Sequence, residues 1–183
     1  SAGNDHRLGA HEAPPAVVSI FLGDELTEIL EAIEKDVPYG AREKELMRVG
    51  VHTLPKFPKD TTDRNRTSPF AFTGNKFEFR MLGSSNSIAC ANIMLNTAVA
   101  ESLKIYADRL EKADDFQSAL HEMIRKTIKD HKNIIFNGNG YSEEWVEEAK
   151  RRGLPNLKSM VDAIPALVTD KAIHLFEKFH VFS

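Results

Sequence analysis

Cysteine and long apolar runs are scarce in this sequence, and each shortage excludes a class of protein. The 183 residues include one cysteine, so the chain can form no internal disulfide and no zinc site built only from cysteines. A single cysteine fits a reducing compartment, and we expect a cytoplasmic location. No apolar run approaches the roughly 18 residues of a membrane-spanning helix, so we expect no membrane partner.

Positive charge is not in excess either. The chain carries 24 Lys and Arg against 27 Asp and Glu, a net charge of −3. A general nucleic-acid binder would carry a basic surplus, so we expect no nucleic-acid partner. Hydrophobic residues make up 42%, which is enough for a packed core. The sequence opens inside a polar stretch and stops in the middle of an apolar pattern, so we expect the chain to be a piece of a longer polypeptide.

The hydrophobic pattern predicts an α+β chain, extended in its first half and helical in its second. Residues 16–22 are apolar and β-branched, which predicts a strand, and residues 24–35 predict a helix. Residues 37–63 hold three prolines and mixed charges, so they predict an exposed insertion. From about residue 90 onward we expect helices, the last running to the end of the chain. Their predicted starts include Asp114 or Asp115, Ser142, Asn156 and Asp170, and the helix from Asn156 is expected to kink or end near Pro165.

The first polar stretch, residues 4–15, collects side chains that could react and ends at a rigid Pro14-Pro15 pair. Its polar candidates are Asp5, His6, Arg7, His11 and Glu12. The two histidines, five residues apart, are a weak signal for a metal site. A solvated surface loop is the competing interpretation.

The second polar stretch places two arginines on an extended segment. Side chains two residues apart project from the same face of a strand, so Arg64 and Arg66 would lie side by side. Two guanidinium groups in this arrangement suit a phosphate chain. Surface ion pairs with Asp60 and Asp63 are the alternative.

The third stretch, residues 76–80, alternates strictly between charged and aromatic residues. Phe77 and Phe79 would share one face, and Lys76, Glu78 and Arg80 the other. Glu78 could bind a divalent metal through oxygen while the flanking cations hold anions that the metal bridges. An ordinary half-exposed strand would show the same alternation.

Together the three stretches offer cations, two carboxylates and a loop. Phosphoryl transfer onto a carboxylate needs cationic clamps for phosphate, a carboxylate for Mg²⁺ and a segment that excludes water. The combination therefore predicts a phosphate-transfer site.

The ordered set of motifs resembles the catalytic domain of glutamine synthetase, specifically its large type III form. Residues 3–15 resemble the family's flap, where a substrate-binding arginine precedes the catalytic glutamate and Ala-Pro. Residues 64–68 resemble its Arg-Asn-Arg-Ser phosphate segment, and residues 76–80 its Arg-x-Glu-x-Arg strand. Residues 91–95 resemble the start of its Asn-Pro-Tyr-Leu helix, and the later helices resemble the extra C-terminal region of the type III form.

This resemblance implies a fold, an activity and an assembly. Residues 1–90 would be the C-terminal part of the catalytic β-sheet or barrel, and residues 91–183 a mostly helical region. The parent would be an ATP-dependent glutamate–ammonia ligase that acts through γ-glutamyl phosphate, with ATP as co-substrate and Mg²⁺ or Mn²⁺ as the metal. It would form a large homo-oligomer with sites at subunit boundaries.

The resemblance also implies residue roles. Glu12 would take a proton from ammonium and shield the acyl phosphate, and Arg66 would stabilise the transferring phosphoryl group. Glu78 would be a ligand of the metal. The remaining cations would bind substrates: Arg7 and Arg80 the glutamate, and Arg64 and Lys76 the nucleotide phosphates.

The sequence departs from the family's shorter forms at several points, which leaves alternatives open. An arginine expected about five residues after Arg66 is missing, the flap is one residue shorter, and the insertion at residues 37–63 has no counterpart. An amine could replace ammonia as acceptor. A guanidino kinase-like phosphotransferase and a non-catalytic assembly or regulatory module are the other interpretations. We expect the isolated chain to be inactive.

Overall fold

A computed structural model describes residues 16–39, 46–47, 57–58, 68–80 and 87–181, and these residues form a mixed, mostly helical α+β structure. The strands are β1 (Ile20–Phe21), β2 (Leu46–Met47), β3 (Phe57–Pro58), β4 (Phe70–Phe72) and β5 (Phe77–Phe79). The α-helices are α1 (Asp24–Lys35), α2 (Ala89–Leu110), α3 (Phe116–His131), α4 (Glu143–Arg151), α5 (Met160–Ala163) and α6 (Asp170–Lys178). The 3₁₀ turns are Lys132–Ile134 and Ile164–Val168.

Three strands form a small mixed sheet in the order β1-β4-β5. β1 pairs in parallel with β4, placing Ile20 opposite Phe70, and β4 pairs antiparallel with β5, placing Phe70 opposite Phe79. β2 and β3 form a separate antiparallel pair. The expected strand at residues 16–22 is thus shorter than predicted, because pairing extends only over its second half.

Most predicted helix starts are confirmed by side-chain caps. The Asp115 carboxylate accepts hydrogen bonds from the backbone N–H groups of Gln117 and Ser118, and the Ser142 hydroxyl accepts one from Trp145. These bonds satisfy backbone donors that a helix start leaves free. The final helix also begins where expected, with Thr169 as its cap.

Two helix predictions in the last third of the chain are wrong. No helix begins at Asn156; instead Ser159 caps the short α5, and the 3₁₀ turn that follows has Pro165 in its first turn. Proline lacks the N–H that continues a helix, so an uninterrupted helix is excluded there. The final helix does not run to the end of the chain: it stops at Lys178, and His180 adopts a left-handed conformation with φ 52°.

The buried core of the described residues joins the second half of the chain to the segment that precedes β1. Val17, Trp145 and Ala149 are almost completely buried, and Phe136 and Leu154 pack against them. The rings of Phe136 and Trp145 stack with centroids 3.8 Å apart and an angle of 8° between their planes. We call this cluster the junction, because it fixes the helical region to the sheet.

The other long helices pack against one another. α3 packs against α1, where Arg125 donates to the carbonyl of Glu34 (3.1 Å) and Lys132 pairs with the Glu34 carboxylate (2.6 Å). α2 contacts α3 and α6. Within the described part of the chain, no helix combines the length and apolar character needed to cross a membrane.

Candidate functional site

The described part of the candidate site is the hairpin formed by β4 and β5. Its turn is closed by a hydrogen bond from the Thr73 N–H to the Lys76 carbonyl (2.8 Å), and its open end by one from the Arg80 N–H to the Pro69 carbonyl (2.8 Å). Gly74 has φ 93°, a value that favours glycine. The hairpin therefore holds residues 76–80 extended, as the alternation predicts.

One face of this hairpin is aromatic. The ring of Phe70 stacks on Phe77 with a centroid distance of 5.3 Å and meets Phe79 edge-on at 6.2 Å. Phe72 also contacts Phe77 at 5.3 Å. These contacts confirm that Phe77 and Phe79 share a face, although the Phe77 residue remains 48% exposed.

The opposite face of β5 is ionic, and its three charged residues are in contact. The Arg80 guanidinium reaches one Glu78 carboxylate oxygen at 3.2 Å through one terminal nitrogen and at 3.4 Å through Nε. The Lys76 ammonium lies 3.8 Å from the other carboxylate oxygen. The Arg80 side chain is 17% exposed, that of Glu78 41% and that of Lys76 67%, so the row runs from a sheltered guanidinium to an open ammonium.

This row suits the recognition of anions and of a cation together. A partly sheltered arginine holds a carboxylate or phosphate more strongly than an open one, because solvent screens it less. Glu78 offers oxygen atoms of the kind that Mg²⁺ and Mn²⁺ prefer. A single carboxylate is not a complete site, and the described residues contain no cluster of three or more His, Cys, Asp or Glu side chains able to hold a metal.

The other residues predicted for the site lie outside the described part of the chain. These are Arg7, Glu12, Arg64 and Arg66. Ser68, the last residue of the predicted phosphate segment, is fully buried, and its hydroxyl has no hydrogen-bond partner among the described residues. The structure therefore brings together Lys76, Glu78 and Arg80.

Sequence reasoning missed a connection between this sheet and the helical region. Residues 135–137 run beside β1, and Ile135 forms a parallel bridge with Ile20. The Asn137 side chain then binds the backbone just after β1. The sequence around Asn137, with its alternating Asn and Gly, predicts a turn and gives no sign of a contact 115 residues away in the chain.

The chain is similar to known proteins of one family. Residues 119–183 match the model of the glutamine synthetase C-terminal domain. The chain is 47% identical over 99% of its length to a type-3 glutamine synthetase of Dictyostelium discoideum and 46% identical over its whole length to a glutamine synthetase of Butyrivibrio fibrisolvens. It is 47% identical over 90% of its length to a glutamine synthetase of Bacteroides fragilis.

The predicted resemblance to glutamine synthetase is therefore confirmed, and the similarity includes the type III form. The chain spans about a quarter of the length of these relatives: 25%, 26% and 24%, respectively. The alignments with the Dictyostelium and Butyrivibrio proteins cover nearly all of the chain. Both the strand that carries Glu78 and the helical region with the junction thus fall within the similarity.

Proposed function

We propose that the polypeptide represented by this chain is an ATP-dependent ligase that joins glutamate to ammonia through γ-glutamyl phosphate. The observation that carries the proposal is the close similarity to glutamine synthetases along almost the entire chain. The ionic row on β5 supports it, because it combines a carboxylate and two cations on one strand face. An acyl phosphate pathway needs those two kinds of group at one place.

On β5, Arg80 would hold the substrate carboxylate while it accepts the phosphoryl group. The guanidinium binds the Glu78 carboxylate at 3.2 Å, so its planar fork lies on the ionic face of β5 and is oriented toward carboxylate oxygens there. Lys76, as the most exposed member of the row, would meet the nucleotide phosphates that approach from solvent. Oriented cations here would stabilise the negative charge that develops during transfer.

Glu78 would be the ligand that this strand contributes to Mg²⁺ or Mn²⁺. The metal, when bound, would neutralise phosphate oxygens and polarise the transferring group. Because Glu78 supplies a single carboxylate, we propose that the other ligands come from outside the described residues. For the same reason we expect the 183-residue chain to be inactive on its own.

The remaining roles rest on the motif resemblance. Glu12 would act as the base that takes a proton from ammonium, and Arg66 would stabilise the phosphoryl group in transfer. Arg7 would bind glutamate and Arg64 the nucleotide phosphates. We further propose that the three-stranded sheet continues into the family's barrel, that residues 1–90 and 91–183 are separate units, and that the polypeptide is a cytoplasmic homo-oligomer.

The test is a product assay on the full-length polypeptide with ATP, glutamate, Mg²⁺ and either ammonium or a small primary amine. We expect ADP and glutamine in a one-to-one ratio, dependent on both glutamate and ammonium. If a γ-glutamyl amide forms from the amine faster than glutamine forms from ammonium, the acceptor is an amine and not ammonia. In a parallel assay with ATP, Mg²⁺ and a guanidino compound, phosphorylation of that compound by a polypeptide that makes no glutamine would indicate a phosphotransferase instead, and the absence of any turnover in both assays would indicate a non-catalytic module.

Two variants separate the proposed roles. Glu78→Gln should raise the Mg²⁺ concentration for half-maximal activity by more than the roughly 10–100-fold seen for outer partners of a metal. Glu12→Ala should lower kcat by about 10²–10⁴-fold, the usual contribution of a general base, while leaving ATP affinity unchanged. Glu111→Gln, an exposed change at the end of α2, is the control and should alter neither quantity.

A further inference from the structure

The segment at residues 135–137 works as an additional edge of the sheet. Ile135 bridges Ile20 in parallel, and the Phe136 N–H donates to the Ile20 carbonyl at 2.9 Å. Ile20 is also paired with Phe70 on its other side. β1 is therefore held between a strand of the candidate site and a segment of the helical region.

The Asn137 side chain closes this edge with three hydrogen bonds. Its Oδ1 accepts from the backbone N–H groups of Leu22 (3.0 Å) and Gly23 (3.1 Å). Its Nδ2 donates to the Thr27 hydroxyl (2.8 Å), which in turn donates to the Gly23 carbonyl (2.7 Å). One carboxamide thus fixes both the end of β1 and the first turn of α1.

Asn137 satisfies the two backbone donors that directly precede α1. Gly23 is the N-cap of α1, has φ 80° and carries no side chain that could bond to the helix start. Gly23 is buried, so water cannot fully replace a lost partner for its N–H. A buried N–H without a partner destabilises the fold. The Asn137 carbonyl oxygen, which comes from a distant part of the chain, supplies the partner for the Gly23 N–H.

The segment that carries Asn137 is itself held firmly. Arg152 donates to the carbonyls of Ile135 (2.9 Å) and Asn133 (3.3 Å), and its guanidinium lies 5.3 Å from the centre of the Trp145 ring. The Phe136 ring stacks on the same tryptophan. Asn137 therefore projects from a well-packed base, and the bonds it makes transmit the position of the junction to β1.

Backbone pairing carries this position on to Glu78. Phe21 lies opposite Ala71, and Ala71 lies opposite Glu78, so these residues form one row across the sheet. Neighbouring strands are about 4.8 Å apart, which places the strand of Glu78 roughly 14 Å from the segment at Ile135. A shift of β1 would pass directly into this row, because no flexible segment intervenes.

We propose that Asn137 is a positioning residue that ties the helical region to the sheet and thereby sets where Glu78 and Arg80 lie. Its effect on catalysis rests on the function proposed above, whereas its effect on the sheet does not. Asn137 would touch neither substrate nor metal and would act through β1 and β4.

The experiment compares three variants of the full-length polypeptide: Asn137→Ala, Asn137→Asp and Asn139→Ala. Aspartate keeps the two acceptor positions for Leu22 and Gly23. Asn139 lies in the same turn but bonds locally, accepting from the Tyr141 N–H at 3.0 Å, so it is the matched control. Hydrogen exchange reports protection of the backbone at residues 20–23 and 68–80, and kinetics report kcat, the KM for glutamate and the half-saturating Mg²⁺ concentration.

In Asn137→Ala we expect faster exchange at residues 20–23 and also at residues 68–80. We expect a rise of about three- to tenfold in the half-saturating Mg²⁺ concentration, below the roughly 10–100-fold typical of direct outer partners, and a similar rise in the glutamate KM. The factor by which kcat falls should be smaller than the factors by which the half-saturating Mg²⁺ concentration and the glutamate KM rise. Asn137→Asp should differ from the wild type in the same quantities by much less than Asn137→Ala, and Asn139→Ala should not differ from the wild type.

Faster exchange confined to residues 20–23, with unchanged metal and glutamate dependence, would overturn the proposal and leave Asn137 a local turn residue. If Asn137→Ala does not fold, Thr27→Val replaces it, since it removes both bonds of the Thr27 hydroxyl and leaves the two that Asn137 accepts from Leu22 and Gly23, and the same readouts should move in the same direction by less. A wild-type polypeptide that makes no glutamine would contradict the proposed function, while the exchange data would still decide the role of Asn137.

Discussion

Helices α4 and α2 differ in length and in packing, and the shorter one is the better anchored. α4 has nine residues, two of which, Trp145 and Ala149, are buried. α2 has 22 residues and buries one, Thr97. Helix length and intrinsic propensity therefore do not decide which helix organises this chain; the packing of one narrow face does.

The advantage of α4 comes from agreement between its sequence and its surroundings. Ser142 caps its start, acidic residues occupy its first turn and basic residues its last, as the helix dipole favours. Its inner face meets Val17 and Phe136, and Arg152 just beyond its end bonds to carbonyls of a neighbouring segment. Local and tertiary contacts thus favour the same structure.

α2 shows the opposite combination. Apolar residues occur around much of its circumference, and Val99, Leu103 and Ile105 are each more than half exposed. Its N-cap, Ile88, makes no side-chain cap bond. Its links to other helices include two polar contacts: Tyr106 bonds to Thr127 (3.2 Å) and Glu101 pairs with Lys178 (2.6 Å). Helices that are apolar on all sides are usually buried, whereas the described residues leave much of the apolar surface of α2 exposed.

The largest effect should come from breaking the junction. We expect Trp145→Ala to lower the free energy of unfolding of the chain by about 3–5 kcal/mol, because it empties a buried site and removes the stack on Phe136. Denaturant unfolding followed by circular dichroism measures it. Trp145→Phe is the milder control, since it keeps a stacked ring and removes an indole N–H that has no hydrogen-bond partner among the described residues. Equal losses in both variants would contradict a packing role.

The second effect tests how the junction is tied to the sheet edge. Arg152→Lys should cost about 1–2 kcal/mol, because lysine cannot bond to two carbonyls and a carboxylate in the planar fork that arginine provides. The measurement is again unfolding in denaturant. Arg109→Lys, an exposed change near the end of α2, should be neutral. A neutral result at Arg152 would mean that solvent replaces the carbonyl bonds.

The third prediction applies the same kind of truncation to the poorly packed helix. Leu103→Ala should change the stability of the chain by less than about 0.5 kcal/mol, because the residue is 62% exposed and alanine favours helix. Removing comparable apolar surface at the junction should cost several times more. A loss of unfolding free energy above about 2 kcal/mol is typical of buried leucines. It would show that α2 is covered in solution, and the contrast in packing between α2 and α4 would then not hold.

Helix starts in this chain were predictable where a single local cap determines them, as at Asp115 and Ser142. The alternation at residues 76–80 likewise predicted the two faces of β5, because successive side chains along any strand point to opposite faces. The junction was not predictable, since Val17 and Trp145 meet through tertiary packing over a long stretch of chain. The Asn137 network is invisible for the same reason: an Asn-Gly pair predicts a turn whether or not its side chain reaches another element.

The false helix start at Asn156 has a local cause. Asn156 has the residue type of an N-cap, but residues 154–158 form no helix and Ser159 caps the short helix that follows. Pro165 then ends regular α-helix within a few residues. Asn, Ser and Asp all suit the cap position, so residue type alone does not select among nearby candidates.

The smallest effect is a dependence on pH at the outer side of the junction. Hydrogen bonds from Arg152 and then Arg151 hold the pKa of the Glu148 carboxyl below its usual value of 4.5. A carboxyl whose pKa falls on folding stabilises the fold above its unfolded-state pKa and loses that contribution as the pH falls through its folded-state pKa. Stability of the chain should therefore drop on acidification below about pH 4.5, and less steeply in Glu148→Gln. The control is Glu31→Gln: the pKa of Glu31 is also lowered, chiefly by the exposed Lys35, whose charge solvent screens, so this change should alter the slope less. Unfolding curves between pH 3 and 7 measure both slopes, and identical slopes in the wild type and Glu148→Gln would show that Arg152 binds the carbonyls of residues 133 and 135 without help from this carboxylate.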